Sequence, residues 1–120
     1  MDKKTLVIGA SEKLERYSNK AIRRLRSNDY TVKALGLKRG YVGDVEIENT
    51  PPKDQDFHTI TIYLNPDKQQ GLYDYITTLH PQRVIFNPGA ENEDLSHRLS
   101  AKGIEVVNAC TLVMLSTNQY

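Results

Sequence analysis

Thr5-Leu6-Val7-Ile8-Gly9-Ala10-Ser11 is an apolar run that ends abruptly in three small residues, and a helical pattern follows it. In a parallel α/β domain, such a run is typical of a buried first strand. Its carboxyl end passes the backbone to a loop whose small residues allow close approach to a phosphate group. This stretch therefore predicts a strand followed by a ligand-binding loop.

The composition is that of an ordinary globular protein. The 120 residues fit one domain over 1–120, with 38% hydrophobic residues, 26% charged residues and a net charge of +1. A charge so close to zero argues against a dedicated binder of duplex DNA. No apolar run approaches the ~20 residues that cross a bilayer, and the first residues lack a signal-peptide core. We therefore expect a cytoplasmic protein that has neither nucleic acid nor membrane as a partner.

Strand and helix patterns alternate along the rest of the chain. The first helix is predicted to start with Ser18 as its cap and to end at Asn28 or Asp29, and the second to start at Asn65-Pro66. Glycines and Pro51-Pro52 make residues 37–55 an irregular loop with room for a short edge strand. Further strands are predicted at 31–36, 58–64, 83–86 and 104–107, a third helix ends at Gly103, and residues 108–115 could hold a last short helix.

This alternation predicts an α/β fold: one doubly wound domain with a mainly parallel five-stranded sheet and helices on both faces. Ligands of such folds bind outside the carboxyl ends of the strands. The loops expected there are 9–18, 36–40, 63–66 and 87–92, and all contain small or turn-forming residues. The sequence therefore favours a phosphate or nucleotide site there, and a domain that binds only a protein partner is the other hypothesis.

The search for catalytic and metal-binding motifs returns little. The glycine patterns of dinucleotide sites and P-loops are absent, and Ser11 lacks the context of a nucleophile elbow. His58, His80 and His97 do not have the spacing of metal ligands relative to each other or to Cys110, the single cysteine. No catalytic residue and no metal site are predicted.

Several short motifs together resemble a known family. They are Val7-Ile8-Gly9-Ala10-Ser11, Tyr17-Ser18, Tyr30-Thr31-Val32 with Lys38 and Gly43 beyond it, the stretch from Asn87-Pro88-Gly89-Ala90 to Glu93, and Lys102-Gly103-Ile104-Glu105-Val106-Val107 with Cys110 three residues later. In their order and spacing, residues 5–115 resemble the short stand-alone CoA-binding proteins. These are Rossmann-like domains similar to the N-terminal CoA-binding domain of the succinyl-CoA synthetase α subunit. The family usually has Asn-Pro at the end of the second strand, where this chain has Leu35-Gly36-Leu37.

The resemblance implies that the ligand is coenzyme A or an acyl-CoA, bound without evident catalysis. It places the pyrophosphate on the first loop, a phosphate opposite Lys38, and the rest of the ligand along the later loops. The alternative is a protein-interaction module that kept the fold and lost the ligand, and an enzyme acting on a CoA thioester is a third hypothesis; a protein partner and the oligomeric state stay open. The implied ligand-binding residues are Gly9, Ala10, Ser11, Tyr17, Ser18, Gly36, Lys38, Tyr63, Leu64, Asn65, Pro66, Asn87, Pro88 and Gly89.

Overall fold

The structure, a computed structural model, describes residues 2–120. Its strands are β1 (Thr5–Ala10), β2 (Val32–Gly36), β3 (Gly40–Val42), β4 (Val45–Glu48), β5 (Thr59–Ile62), β6 (Arg83–Phe86) and β7 (Glu105–Asn108). Its helices are α1 (Tyr17–Ser27), α2 (Pro66–Gln69), α3 (Tyr73–Leu79), α4 (Glu93–Ala101) and α5 (Thr111–Ser116), and a 3-10 turn at Gln70–Leu72 joins α2 to α3.

All strands belong to one sheet, in the order β3-β4-β2-β1-β5-β6-β7. Every neighbouring pair is parallel except β3 with β4. Without β3, the parallel strands follow the order of a doubly wound fold, in which the winding reverses between β1 and β5. The predicted Rossmann-like α/β class is confirmed.

The predicted number of five strands is wrong, because the sheet contains seven. The two additional strands, β3 and β4, form an antiparallel hairpin within the segment predicted as an irregular loop. Gly43 has a φ of 60° and, with Asp44, forms the two-residue turn of this hairpin. Val42, Val45 and Ile47 are buried. Gly43, which the sequence analysis took as a sign of a loop, therefore forms the turn of a hairpin. The apolar side chains of this hairpin pack into the core.

The core has two layers, one on each face of the sheet. Successive residues of a strand point to opposite faces, so Leu6 and Ile8 of β1 join one layer and Val7 joins the other. Ile76 of α3 and Leu95 and Leu99 of α4 cover the first layer, whereas Ile22 and Leu25 of α1 and Met114 of α5 cover the second. The helices therefore lie on both faces, as the sequence predicted.

The ends of the helices match the sequence only in part. Asn65 caps α2 as predicted, because its side chain accepts a hydrogen bond from the Lys68 amide at 3.1 Å. The cap predicted for α1 is wrong: Arg16 is the N-cap, it makes no side-chain cap bond, and Ser18 lies buried inside the first turn. The predicted last short helix is present as α5.

Within residues 2–120, no helix combines the length and the apolar character that spanning a bilayer requires.

Candidate functional site

Gly9 turns the chain at the carboxyl end of β1. Its φ of +92° is a conformation that side chains other than glycine rarely adopt. A Cβ atom at Gly9 would lie 3.2 Å from the Leu64 amide nitrogen and from Tyr63, at the end of β5. The first loop and the β5 end thus meet at the point where the winding reverses, which brings three predicted ligand residues together.

Two side chains of α1 hold the first loop in place through hydrogen bonds. The buried Asn19 donates from Nδ2 to the carbonyl of Ser11 at 2.9 Å. Arg23 donates to Asn19 Oδ1 at 2.8 Å and to the carbonyl of Leu14 at 3.2 Å. The Ser11 hydroxyl accepts a bond from the Lys13 amide at 3.1 Å. These bonds fix the loop relative to the start of α1.

The start of α1 lies directly after this loop and suits an anion. Because Arg16 forms no side-chain cap bond, no cap side chain satisfies the first amides of this 11-residue helix. Such amides carry partial positive charge and bind phosphate groups readily. Of the two predicted ligand residues here, Tyr17 is exposed and Ser18 is buried.

The end of β2 touches the first loop through its backbone. A Cβ atom at Gly36 would lie 2.4 Å from the carbonyl oxygen of Ala10 and 2.9 Å from Ile47 Cγ2, so only glycine fits at this position. Lys38, two residues further on, is exposed. The structure thus brings Ala10 and Gly36 together, with the ammonium-bearing Lys38 following on the same segment.

Asn87 supports the β6 loop with all the polar atoms of its side chain. It is 2% exposed. Its Nδ2 donates to Thr61 Oγ1 at 2.7 Å and to the Ile62 carbonyl at 3.0 Å, and its Oδ1 accepts from the Thr111 amide at 2.9 Å. Pro88 and Gly89, which follow, are exposed. The side chain of Asn87 therefore ties β5, β6 and α5 together and leaves Pro88 and Gly89 as the outer part of the loop.

Gln69 and Asn92 join the β5 loop to the β6 loop, and the sequence analysis missed both. Gln69 is fully buried and donates to the carbonyls of Leu64 and Ala90, each at 2.8 Å. Asn92 donates to Gln69 Oε1 at 2.9 Å and to the Tyr73 hydroxyl at 2.8 Å. The loop that contains the predicted ligand residues Leu64, Asn65 and Pro66 is thus held in place by the Gln69 side chain. No sequence pattern marks these two residues, because the burial of Gln69 is visible only in the folded structure.

Glu12 forms the second contact that the sequence did not reveal. Its Oε2 accepts a hydrogen bond from the Tyr41 amide at 3.0 Å. A Cβ atom at Gly40 would lie 2.3 Å from the Glu12 carboxyl carbon. The carboxylate of the first loop therefore lies against the start of β3. No local pattern could show a contact between segments 29 residues apart.

Of the side chains that catalysis often uses, the three histidines lie away from the carboxyl ends of β1, β2 and β5, whereas Tyr63 and Cys110 lie at the carboxyl end of the sheet. His58 and His80 precede β5 and β6, at the opposite end of the sheet, and His97 is on α4. Burial raises the pKa of the Tyr63 phenol, which keeps that group protonated. Cys110, at the start of α5, is half-buried. Across residues 2–120, no three His, Cys, Asp or Glu side chains come together in a way that could hold a metal ion.

Two shallow grooves lie on the surface, one beside α1 and α5 and one beside α4 and the ends of β6 and β7. The larger, of about 530 Å³, runs between α1 and α5 and has basic side chains on one wall, among them Lys20, Arg23 and Arg24. The smaller, of about 390 Å³, lies along α4 and includes His97. The residues that line the two grooves do not include the predicted ligand residues.

Comparison with known proteins identifies a family. A family model described as "CoA binding domain" matches residues 3–116. The crystal structure of an uncharacterized protein is 45% identical, with 100% of this chain and 99% of that chain covered and a TM-score of 0.96. A hypothetical protein from Pyrococcus horikoshii is 20% identical, with 97% and 83% covered and a TM-score of 0.86.

A larger enzyme contains a similar fold. A dinucleotide-forming acetyl-coenzyme A synthetase from Candidatus Korarchaeum cryptofilum, solved with phosphate and ADP, is 17% identical. The match covers 89% of this chain and 25% of that one, with a TM-score of 0.71. At this identity the similarity concerns the fold alone. A search of curated proteins found no match.

Proposed function

The chain belongs to the CoA binding domain family, and we propose that it binds coenzyme A or an acyl-CoA along the carboxyl end of its sheet without catalysing a reaction. The observation that carries this proposal is the uncapped start of α1 directly behind the Gly9 turn. Backbone amides and the helix dipole attract phosphate there, and no side chain of the cap residue competes for them. The pyrophosphate of the ligand would lie over Gly9, Ala10, Ser11 and the first turn of α1.

The remaining residues suit the other parts of the same ligand. Lys38 is exposed and forms no ion pair within residues 2–120, so its ammonium group is available to a phosphate. The loops 63–66 and 87–89 would line the path of the pantetheine arm, where Gln69 and Asn92 hold them in register. In this proposal the chain only binds the ligand. Any reaction would belong to the bound thioester or to a partner enzyme.

Titration calorimetry and thermal unfolding with CoA, dephospho-CoA and NAD test the proposal. A ligand at 100 times its Kd adds about 2.7 kcal/mol to the free energy of unfolding, which is readily measured as a rise in Tm. We expect a heat signal and a higher Tm with the CoA compounds. If neither appears at millimolar concentrations of any CoA compound, the proposal fails.

Lys38→Glu tests the role assigned to the ammonium group. Reversing this charge should weaken CoA binding roughly tenfold and weaken dephospho-CoA less, because only CoA carries the 3′-phosphate. Lys53→Glu is the matched control, since Lys53 is also exposed and lies between the end of β4 and the start of β5. Equal losses for the two ligands would remove Lys38 from the phosphate site.

An interaction module without a ligand is the second candidate function. Large apolar side chains are exposed on the first loop, the start of α1, the end of β2 and β3: Leu14 is 68% exposed, Tyr17 66%, Leu37 82% and Tyr41 62%. Either the adenine ring of a nucleotide or another protein would remove such surface from water. Leu37→Ser distinguishes the two, because it should weaken CoA binding only if the nucleotide covers this surface.

A further inference from the structure

The groove of about 530 Å³ between α1 and α5 has one basic wall and one wall that is largely apolar. Its lining residues include Lys20, Arg23, Arg24 and Ser27 of α1, and Leu112 and Val113 of α5. The four residues of α1 are spaced by three, four and seven positions, so they lie on one face of the helix over two turns. The groove therefore runs along α1 for about 10 Å, at 1.5 Å per residue.

The cations on the basic wall have no carboxylate partner in the described part of the chain. Arg26, further along the same helix, is paired with Asp44 at 2.8 Å. Within residues 2–120, by contrast, Lys20, Arg23 and Arg24 form no ion pair. The side-chain hydrogen bonds of Arg23 go to uncharged groups of α1 and the first loop. The basic wall thus carries positive charge that these residues do not neutralise.

The apolar wall exposes a side chain that the proposed function does not use. Val113 is 56% exposed, whereas its neighbour Met114 is buried in the core. Within residues 2–120, the other large apolar side chains that are exposed lie on or beside the first loop and the segment after β2: Leu14, Tyr17, Leu37 and Tyr41. Exposed apolar surface next to unpaired cations suits a partner that has both carboxylates and aliphatic groups.

We propose that this groove is the docking site for an acidic amphipathic helix of a partner protein. A helix lying in the groove presents side chains at spacings of three, four and seven residues, which is also the spacing of the cations on α1. Its carboxylates form charge-assisted hydrogen bonds with the arginine and lysine side chains, and its aliphatic residues cover Val113. Charge complementarity thus defines the partner, and the proposal does not depend on CoA binding.

Two other anionic partners fit this groove less well. Single-stranded nucleic acids stack their bases on aromatic side chains, and among residues 2–120 those that line the groove include no aromatic residue. A membrane surface is flat on this scale, whereas the cations and Val113 line a concave groove. A helix, which is a narrow cylinder with projecting side chains, matches the concave shape.

The test is a selection from a library of displayed peptides of random sequence, each about 15 residues long and so about four helical turns. The full chain is the target, and the Kd of each enriched peptide is measured by fluorescence anisotropy. We expect the enriched peptides to carry Asp or Glu three and four residues apart, with an aliphatic residue on the same face. Val113→Ser should raise their Kd about fivefold, because less apolar surface is buried.

Charge reversal in the groove should have a larger effect. Lys20→Glu combined with Arg24→Glu should raise the Kd of the enriched peptides at least about tenfold. Arg23 is left unchanged because it also holds the first loop. Lys68→Glu combined with Lys102→Glu is the matched control, since it changes the net charge equally at exposed lysines outside the groove.

Each of four results would overturn the proposal: no peptide is enriched, the enriched peptides are basic or uncharged, the groove double variant binds them as tightly as wild type, or the control double variant weakens binding equally. A fifth contrary result concerns the class of partner. It is that the groove double variant loses binding to a single-stranded RNA or to phosphatidylserine vesicles while no acidic peptide is enriched. None of these outcomes depends on whether the chain binds CoA.

Discussion

At the amino end of the sheet, long side chains reach across the strand starts, whereas at the carboxyl end of β1 and β2 glycines let the segments approach each other closely. Tyr120 is buried at the amino end, where its hydroxyl bonds to Thr5 Oγ1 and its ring lies 4.3 Å from the Arg83 guanidinium carbon. Arg83 in turn donates to Thr59 Oγ1 at 2.8 Å. One aromatic side chain from the end of the chain thus connects the first residues of three strands.

The carboxyl end shows the opposite arrangement near β1 and β2. Gly36 lets the end of β2 approach the Ala10 carbonyl, Gly9 lets the first loop turn beside β5, and Gly40 leaves room for Glu12. The difference teaches that one sheet can use a buried aromatic side chain to join its strands at one end and glycines to bring its segments together at the other.

Removing the aromatic ring of Tyr120 is expected to have the largest effect. Tyr120→Ala should lower the free energy of unfolding by about 4 kcal/mol, because it leaves a cavity, removes the ring that lies against the Arg83 guanidinium and removes the hydroxyl that bonds to Thr5. Urea unfolding measures this loss, with the exposed neighbour Gln119→Ala as the control. Affinity for CoA, measured where the variant is folded, should stay within twofold of wild type. A change in affinity larger than that would show that the two ends of the sheet are not independent.

Asn87→Ala tests the part of the carboxyl end that does rely on a side chain. We expect a loss of about 3 kcal/mol, because the Thr111 amide and the Thr61 hydroxyl each lose a buried partner. Asn108→Ala is the matched control: Asn108 ends the next strand but is exposed, so its change should stay within about 0.5 kcal/mol. Similar losses for the two variants would mean that the Asn87 network contributes nothing particular.

Acid should weaken the amino end through its carboxylates, with a smaller effect than either substitution above. The Lys4 ammonium donates to Asp54 at 2.8 Å and to Asp56 at 2.7 Å, and these hydrogen bonds lower the pKa of both carboxyls below 3.8. Their contribution to stability is present above the unfolded-state pKa and is lost as the pH falls through the folded-state values. Urea unfolding at pH 7 and pH 3 should therefore show a smaller loss for Lys4→Met than for wild type. The same loss in both proteins would contradict this account.

The sequence predicted the parts of the fold that depend on local patterns. Continuous apolar runs marked β1 and β5, and the Asn65-Pro66 pair marked the start of α2. The sequence allowed a short edge strand within residues 37–55 but did not predict the hairpin of β3 and β4, because Gly40 and Gly43 are read locally as loop signals and the burial of Val45 and Ile47 depends on the sheet beside them. Tyr120 lies 115 residues from Thr5 along the chain, so no local pattern indicates that the two meet.

The candidate site also contains contacts that the topology predicts and contacts that it does not. Topology alone places Gly9, Gly36 and Tyr63 at one end of a doubly wound sheet, and the structure brings these segments together. Contacts such as Glu12 with Tyr41, or Gln69 with Ala90, are made between side chains and distant backbone groups. They depend on how the loops pack after the sheet has formed, which periodicity does not encode.

The hydrogen bond between Tyr41 and Glu12 also affects the edge of the sheet, where aggregation could begin. β3 is the outermost strand on its side of the sheet and is only three residues long. Unpaired backbone amides on an edge strand can pair with strands of other molecules. Such pairing starts aggregation. Because the amide of Tyr41, the middle residue of β3, already donates to Glu12, an incoming strand would find no free donor there. The Glu12 carboxylate thus helps to close this edge of the sheet to strands of other copies.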